Sequence, residues 1–444
     1  MIRLREAQQR VIEYAGGRMA ISAVPGSGKT TTLSYLAASL IAEGRVAQAQ
    51  AGYTRPFEPF SLPPLGRVAE APPAGAPAEH AAQVLVVTFS NAAVANFRAR
   101  IAGFLAERRL ARRIGYDVRT LHSLAHLIVS NQPALSGLDP DFHILDETEI
   151  SRVQLDAARI WIERNAERWL SFLERDDEFT QRRWRQMTRR IAATTITAAK
   201  TARLRPADLL ERLSRLEDAV EVLAARMGAE IYAIYQDQLD TRAALDFDDL
   251  VWLAYEQLRD HPDVLAGYRL RWPYVLEDEA QDSSPLQEAL LDLLVGPTGN
   301  WVRVGDPNQA INTTFTPADP RFFRRFSRRP GVQFVSLDQS GRSSEPIIAL
   351  ANALVAWVCD EYPELDIRQR AFERQIIRPV DAGDPQPNPP AEESGILLDR
   401  EYPGWEQELD DVARRAAHYA AAHPAHTLAI LAPTNVYGSE VVRR

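Results

Sequence analysis

A glycine-rich run that ends in lysine and threonine carries the clearest chemistry in this sequence. The run is Ala23-Val24-Pro25-Gly26-Ser27-Gly28-Lys29-Thr30-Thr31. Successive backbone N–H groups in such a loop can hold phosphate oxygens, and a helix that begins there adds its partial positive charge. Lys29 would reach the outer phosphates, and Thr30 would place its hydroxyl on magnesium. The run predicts a nucleotide site; the alternative is an ordinary turn between a strand and a helix.

The lysine in this run is unusual for the chain. Of 51 basic residues only two are lysine, Lys29 and Lys200. A compact ammonium on a thin stem can enter a nest of backbone N–H groups, whereas the broad guanidinium of arginine cannot. The lysine at position 29 therefore indicates a position chosen for shape as well as charge.

Two adjacent carboxylates follow a later apolar run. They belong to Asp278-Glu279-Ala280-Gln281-Asp282, directly after Tyr274-Val275-Leu276-Glu277. Open α/β sheets bind their ligands at the carboxyl ends of the strands. Asp278 would hold magnesium through water, and Glu279 would orient and deprotonate the attacking water. Alone, the pair is more typical of a solvated acidic turn, but the phosphate loop upstream favours the catalytic interpretation.

Two more polar side chains follow strand-like runs. Gln309 ends the run Gly305-Asp306-Pro307-Asn308-Gln309 and could sense the γ-phosphate. Arg342 follows the apolar stretch 333–337 and could stabilise charge on the transferring phosphoryl group. Each residue alone is typical of a turn or a surface, so their value as candidates comes from the order of the whole set.

The elements that must position these residues alternate along the chain. Apolar runs typical of buried strands occur at 19–24, 84–89, 274–278, 301–305 and 333–337. Amphipathic helical stretches follow most of them, which predicts a doubly wound parallel α/β sheet. The alternation stops between 132 and 245, where long helical stretches indicate an all-helical domain inserted into the α/β domain.

These patterns predict three structural regions. The first is an α/β nucleotide-binding domain made of residues 1–131 and 246–330, in which the Ala-, Pro- and Gly-rich stretch 44–83 is a loop insertion. The inserted helical domain occupies 132–245. Residues 331–444 begin a second α/β domain that is incomplete, and its last strand ends near 435.

Composition limits the class of protein. The chain has 444 residues, 45% apolar content and a single cysteine, which excludes an internal disulfide and a cysteine-cluster zinc site. It contains no apolar run long enough to cross a membrane and no signal-peptide pattern, so a cytoplasmic protein is expected. The net charge of −9 provides no global positive field, so any binding of nucleic acid must use a local groove.

The order of the runs resembles the UvrD/Rep family of superfamily 1 DNA helicases, from about residue 4 to about residue 435. The matching elements are Gln8, 23–30, Thr88-Phe89-Ser90-Asn91, Thr120-Leu121-His122-Ser123, 246–250, 278–282, 305–309 and Arg342-Ser343. The resemblance implies a RecA-like P-loop NTPase fold that uses ATP and Mg²⁺. It also implies that Gln8 reads the adenine edge, that Glu279 is the catalytic base, and that Gln309 and Arg342 contact the γ-phosphate.

The same resemblance implies a track for single-stranded DNA. Its candidate contacts are Thr88, Phe89, Asn91, Thr120, His122 and Phe315. Phe315 is included because Asn312 stands where the family has a base-stacking tyrosine. Without the family, Phe89 is more typical of a core and His122 of a loop. The arginine clusters at 108–113, 182–185 and 321–325 are DNA contacts or merely solvated faces.

The function implied is an ATP-dependent motor that moves 3′ to 5′ on single-stranded or partly duplex DNA in repair or recombination, with repair or nuclease subunits as possible partners. Two alternatives stay open: a nucleotide-switched DNA-binding module without unwinding, and part of a helicase–nuclease. The later family motifs have no counterpart before Arg444. This chain alone is therefore expected to bind ATP and DNA but to hydrolyse ATP slowly.

Overall fold

The computed structural model describes residues 3–53, 82–112, 114–172, 177–217, 219–310, 320–391, 396 and 401–444. Phe315 and most of the predicted loop insertion lie outside these residues. The chain divides into two compact units, Met1–Pro389 and Pro390–Arg444. Within the described residues, no helix has both the length and the apolar character that crossing a membrane requires.

The strands of the described residues, some of them only two residues long, all lie in the first unit. They are β1 (Arg18–Ala23), β2 (Val84–Thr88), β3 (Tyr116–Thr120), β4 (His143–Ile144), β5 (Ala244–Leu245), β6 (Tyr274–Glu277), β7 (Asn300–Gly305), β8 (Val332–Leu337), β9 (Gln339–Ser340) and β10 (Arg378–Pro379).

The α-helices that accompany them cover more of the chain. They are α1 (Glu6–Ile12), α2 (Lys29–Ala42), α3 (Arg45–Tyr53), α4 (Asn91–Glu107), α5 (Leu121–Asn131), α6 (Glu147–Arg164), α7 (Ala166–Leu170), α8 (Glu178–Thr201), α9 (Pro206–Ser214), α10 (Val220–Thr241), α11 (Phe247–Asp260), α12 (Pro262–Arg271), α13 (Pro285–Val295), α14 (Pro320–Ser327), α15 (Glu345–Asp360), α16 (Leu365–Arg370), α17 (Trp405–Ala422) and α18 (Asn435–Arg443). Short 3₁₀ turns lie at Pro133–Ser136 and Ala280–Asp282.

Six of the strands form a central parallel sheet in the order β3-β2-β6-β7-β1-β8. The predicted parallel α/β sheet is therefore confirmed. One core packs α1, α2 and α4 on one face through residues such as Leu36 and Phe97. A second core packs α5, α11 and α13 on the other face through residues such as Leu124 and Leu290. Covered faces explain why the inner strands are buried along nearly their whole length and are mostly apolar, as β2 is throughout.

Strand β3 was missed because it lies at an edge of the sheet. Only Val118 of its five residues is buried, and Asp117 and Arg119 pair with each other beside it at 2.9 Å. A half-exposed edge strand needs no apolar run, so its sequence does not resemble those of the inner strands.

Strand β8 corrects the predicted domain boundary at 330. It pairs in parallel along the whole of β1, from Arg18 opposite Val332 to Ala23 opposite Leu337. The backbone groups of β1 need partners on both sides, and β8 supplies the second side. Residues 332–337 therefore belong to the first sheet, and the assignment of this strand to a second domain is wrong.

The predicted loop insertion also begins differently. Residues Arg45–Tyr53 form α3, because this stretch is rich in alanine and glutamine and free of proline. The loop prediction is wrong for these residues.

The helices predicted between 132 and 245 are present as α6 to α10. They surround a core of their own that contains Trp161, Ile196 and Tyr232. At their base, the short β4 and β5 pair in parallel. Lys200 is fully buried there, with its Nζ 2.6 Å from Asp246 Oδ2 and 2.7 Å from Asp249 Oδ2. This ion cluster joins α8 to the start of α11.

In the second unit, α17 and α18 are the regular elements of the described residues. The strand predicted to end near 435 is not formed, since the residues just before α18 have no regular structure and Leu431 is 95% exposed. A strand requires a partner for its backbone groups, and the described part of this unit contains no other strand. An incomplete second α/β domain stays a prediction.

Candidate nucleotide and DNA site

The glycine-rich run forms the loop between β1 and α2. Gly26 and Gly28 both adopt left-handed backbone conformations, with φ of 76° and 84°, and Gly28 is the N-cap of α2. A Cβ at Gly26 would lie 2.5 Å from the Cβ of Arg342 and 2.6 Å from Ser340 Oγ. Glycine is required here for both conformation and close approach. The loop therefore presents the N-terminus of α2 as an anion site.

Lys29 and Glu279 meet at this loop. Lys29 Nζ donates to Glu279 Oε2 at 3.0 Å, and Gln281 Nε2 donates to the same oxygen at 2.9 Å. Burial acts to raise the pKa of Glu279, but the charge of Lys29 and the hydrogen bonds from Gln281 and Lys29 outweigh it, so the pKa is lowered. Glu279 is held with φ of 54°, a conformation that non-glycine residues rarely adopt.

Asp278 lies beside this pair with a different electrostatic character. It is 7% exposed, and its Oδ1 is buried without a hydrogen-bond partner among the described residues. Burial, with the charge of Glu279, raises the pKa of Asp278 to about 7. A buried carboxylate oxygen with no partner is suited to a cation.

The donor set fits Mg²⁺ when phosphate is present. In the described part of the chain, no group of three or more His, Cys, Asp or Glu side chains could hold a metal ion alone. Magnesium usually takes one or two carboxylates and keeps water and substrate phosphates as its other ligands. Asp278 and the hydroxyl of Thr30, one residue into α2, would be the protein's contribution.

Gln281 bridges two loops of the site and is absent from the predicted site residues, although the run containing it was identified. Its Nε2 donates to Glu279, and its Oε1 accepts from the backbone N of Asp306 at 3.0 Å. The side chain is 2% exposed. The loop that carries Gln309 is thereby connected to Glu279, since Gln309 N in turn donates to Asp306 O at 3.0 Å.

Arg342 follows β8 and β9 and lies against Gly26 of the phosphate loop. Beyond the close approach to Gly26, Gly341 N donates to Gly26 O at 3.4 Å, and Val24 N donates to Leu337 O at 3.0 Å. Arg342 itself is exposed. The tertiary structure therefore brings together Lys29, Glu279 and Arg342, which are far apart in sequence.

Gln8 is also at the loop, but its amide is engaged. Its Nε2 donates to Ser27 O at 3.0 Å, and its Oε1 accepts from Arg5 N at 3.0 Å. A side chain at Gly341 would overlap the carbonyl oxygen of Gln386 and approach Arg5 Nη2 at 2.8 Å. Contact of Gln8 with adenine stays a prediction.

The predicted DNA contacts gather at the carboxyl ends of two adjacent strands. Thr88 ends β2 and is register partner of Thr120, which ends β3. Phe89 is 51% exposed, so the alternative that it belongs to the core is wrong. Asn91 is exposed at the start of α4.

The side chain of His122 is less exposed than that of Phe89. Its ring centroid is 5.2 Å from that of Phe247, and burial lowers its pKa. Thr120 Oγ1 caps α5 by accepting from Ser123 N at 3.2 Å. A neutral, partly buried histidine can donate one hydrogen bond to DNA but adds no charge.

Comparison with known proteins gives one consistent result. Residues 4–330 match the UvrD/REP helicase N-terminal domain. The chain is 30% identical over 362 residues to ATP-dependent DNA helicase UvrD1 of Mycobacterium tuberculosis, covering 80% of this chain and 39% of the relative. It is 28% identical over 353 residues to DNA helicase II of Haemophilus influenzae, covering 80% and 40%.

A third relative agrees with these. ATP-dependent DNA helicase PcrA of Leuconostoc citreum is 28% identical over 353 residues, covering 79% of this chain and 39% of the relative. The chain thus spans about two fifths of the length of the relatives it matches.

Proposed function

Because this chain belongs to the UvrD/Rep helicase family, we propose that it is the ATP-binding part of a DNA helicase motor. The motor would hydrolyse ATP while it moves 3′ to 5′ along single-stranded DNA, in cytoplasmic DNA repair or recombination. The observation that carries the proposal is the meeting of Lys29, Glu279 and Arg342 around one phosphate loop.

The loop and two side chains would hold the nucleotide. Backbone N–H groups at the start of α2 would bind phosphate oxygens, and Thr30 with Asp278 would hold Mg²⁺. Bound Mg–ATP would supply the phosphoryl group, and its Mg²⁺ would neutralise part of the negative charge that develops during the transfer. Arg342, beside Gly26, would stabilise negative charge on the transferring group.

Lys29 can pair either with Glu279 or with the phosphates of a bound nucleotide. In this structure it is paired with Glu279, and its charge is the largest influence that lowers the pKa of that carboxylate. When Lys29 turns to the phosphates, that influence weakens and the pKa of Glu279 rises. A carboxylate of higher pKa is a stronger base for water. Binding of the nucleotide would thus make Glu279 a stronger base for the attacking water.

Gln281 would keep Glu279 in position during this exchange. Its hydrogen bond to Oε2 does not depend on Lys29, and its other end is anchored on Asp306 N. The same side chain would transmit movement between Glu279 and the loop of Gln309. DNA would lie across Phe89, where a base can stack on the exposed ring.

The experiment that tests this function is ATP hydrolysis by this chain with and without a single-stranded oligonucleotide. We expect hydrolysis that is slow but increases when DNA is added. ATP binding without such an increase would favour the nucleotide-switched binding module. Absence of ATP binding would contradict the nucleotide site itself. Repair or nuclease partner subunits would be sought among the proteins that bind to the active chain.

A further inference from the structure

A groove rich in arginine is lined by none of the residues assigned above to the nucleotide site or to the DNA track. Its volume is about 850 Å³, and it lies between α14 and residues 369–374. One acidic residue, Glu373, lines it. The outer arginines that line it are Arg321, Arg325, Arg328, Arg329, Arg370 and Arg374. Such a concentration is notable in a chain whose net charge is −9.

The helix α14 builds one wall through its amphipathic pattern. Phe323 and Phe326 are 2% and 0% exposed, and Phe326 packs against Trp301 of β7 with ring centroids 5.1 Å apart. Anchoring this face against the sheet leaves Arg321 and Arg325 exposed on the other side. Exposed Arg328 follows just after the helix.

A buried arginine fixes the second wall to the first. Arg324 is 9% exposed and donates to Arg370 O at 2.8 Å, to Ala371 O at 3.2 Å and to Pro307 O at 3.1 Å. Asn308 also pairs with the backbone of Glu373, donating to its O at 2.9 Å and accepting from its N at 2.8 Å. The groove is therefore preformed, and both of its walls are hydrogen-bonded to the loop that carries Gln309.

The groove keeps an excess of positive charge. Seven arginines, with Arg324 included, and a single carboxylate, that of Glu373, line the groove. Several of these arginines form ion pairs. The pairs are Arg324 and Arg328 with Glu373, Arg329 with Glu288, Arg370 with Asp366, and Arg374 with Asp360. The Arg370–Asp366 and Arg374–Asp360 pairs are exposed, and exposed pairs exchange easily for another anion because each contributes little stability.

We propose that this groove binds the sugar–phosphate backbone of DNA, outside the track that runs from Thr88 to His122. The inference rests on the proposed function as a DNA helicase. Guanidinium groups match phosphate oxygens in a two-pronged geometry. From Arg321 to Arg325 the helical rise is about 6 Å, close to the rise of two nucleotides in one strand of duplex DNA.

The test compares DNA binding by the wild type with that by the double variant Arg325→Gln/Arg328→Gln. Fluorescence anisotropy of a labelled single-stranded oligonucleotide gives the affinity at several salt concentrations. Loss of two phosphate contacts should lower the slope of log affinity against log salt by about 1.4, and weaken binding about 25-fold at 0.1 M salt. The affinity for ATP should not change.

The matched control is Arg212→Gln/Arg215→Gln. These arginines are exposed at the end of α9, and their removal changes the net charge by the same amount. The control should bind DNA like the wild type. A decrease as large in the control as in the groove variant would overturn the proposal, because net charge alone would then explain the effect.

A second arm uses a blunt duplex of the same length. If the groove holds duplex DNA, the loss appears there, with a slope change of about 1.8. If it holds a single strand, the loss appears in the first arm. Wild-type binding with no loss in either arm would overturn the groove proposal and leave the proposed function intact. Failure of the wild type to bind any DNA would overturn both.

Discussion

Lys29 Nζ lies 3.0 Å from Glu279 Oε2, so the lysine expected to hold phosphate neutralises the carboxylate expected to activate water. The two residues are 250 positions apart in the sequence. While no phosphate is bound, Lys29 is paired with Glu279, and Glu279 is a weaker base because the charge of Lys29 lowers its pKa. The relationship predicts separate consequences for the two residues, because only one of them is needed for nucleotide affinity.

Replacement of Glu279 should separate binding from hydrolysis. Glu279→Gln keeps the shape and the hydrogen bonds but cannot accept a proton from water. We expect ATP hydrolysis to fall by about 10²- to 10⁴-fold, the usual contribution of a general base. Nucleotide titration should give an affinity equal to or above that of the wild type. Glu147→Gln, an exposed change on α6, is the control. Equal loss of affinity and hydrolysis would make Glu279 structural.

Replacement of Lys29 should act on binding itself. Lys29→Ala removes the ammonium expected at the phosphates and leaves Glu279 without its cation. We expect weaker binding of a fluorescent ATP analogue, with DNA binding retained in the absence of nucleotide. An unchanged affinity for the analogue would contradict the phosphate-loop assignment.

Phe89 offers a test of the DNA track. Its ring is 51% exposed at the end of β2, where a base can stack on it. Phe89→Ala should weaken single-stranded DNA binding by about 1–3 kcal/mol. Phe89→Trp should restore it, because any aromatic ring offers a stacking face. Phe179→Ala, also an exposed phenylalanine, provides the comparison and should bind DNA normally.

The second lysine of the chain should be important for stability. Lys200 is fully buried, and Asp246 and Asp249 hold its pKa above the ordinary value although burial alone would lower it. Lys200→Met leaves two buried carboxylates without a cation, which should destabilise the fold by about 3–5 kcal/mol. Urea unfolding measures this.

Adding Asp246→Asn and Asp249→Asn to Lys200→Met should recover part of the loss, since the uncompensated charges disappear. A triple variant no more stable than the single one would show that packing, and not charge, causes the effect.

The raised pKa of Asp248 predicts that the stability of the fold depends on pH. Burial and the charge of Asp246 raise its pKa to about 7. In the unfolded chain it loses its proton near pH 4, so the wild type loses stability as the pH rises from 4 to 7. Asp248→Asn removes this effect and should be the more stable protein at pH 8, by up to about 4 kcal/mol.

The advantage of Asp248→Asn should disappear below pH 4, where the wild-type side chain is neutral in both states. Thermal unfolding at pH 4 and pH 8 measures it, with exposed Asp263→Asn as the control. A stabilisation that is the same at both values would exclude titration of Asp248 as its cause.

Much of this protein follows from local sequence. The phosphate loop, the inner strands and the parallel α/β class could be predicted, because glycine content and apolar runs determine backbone conformation over a few residues. The carboxyl-end rule then placed Asp278 and Glu279 near the loop, whereas Arg342 was assigned to the site from its place in the order of the motifs. These predictions needed only the order of the elements.

Only the tertiary structure decided which distant groups meet. Strand β8 joined the first sheet because β1 lacked a partner, and no property of residues 332–337 specifies that choice. Gln281 became the link between Glu279 and Asp306 through a side chain whose two ends reach different loops. Pairing across long sequence separations depends on the geometry of the whole sheet, whereas local conformation depends on neighbours along the chain.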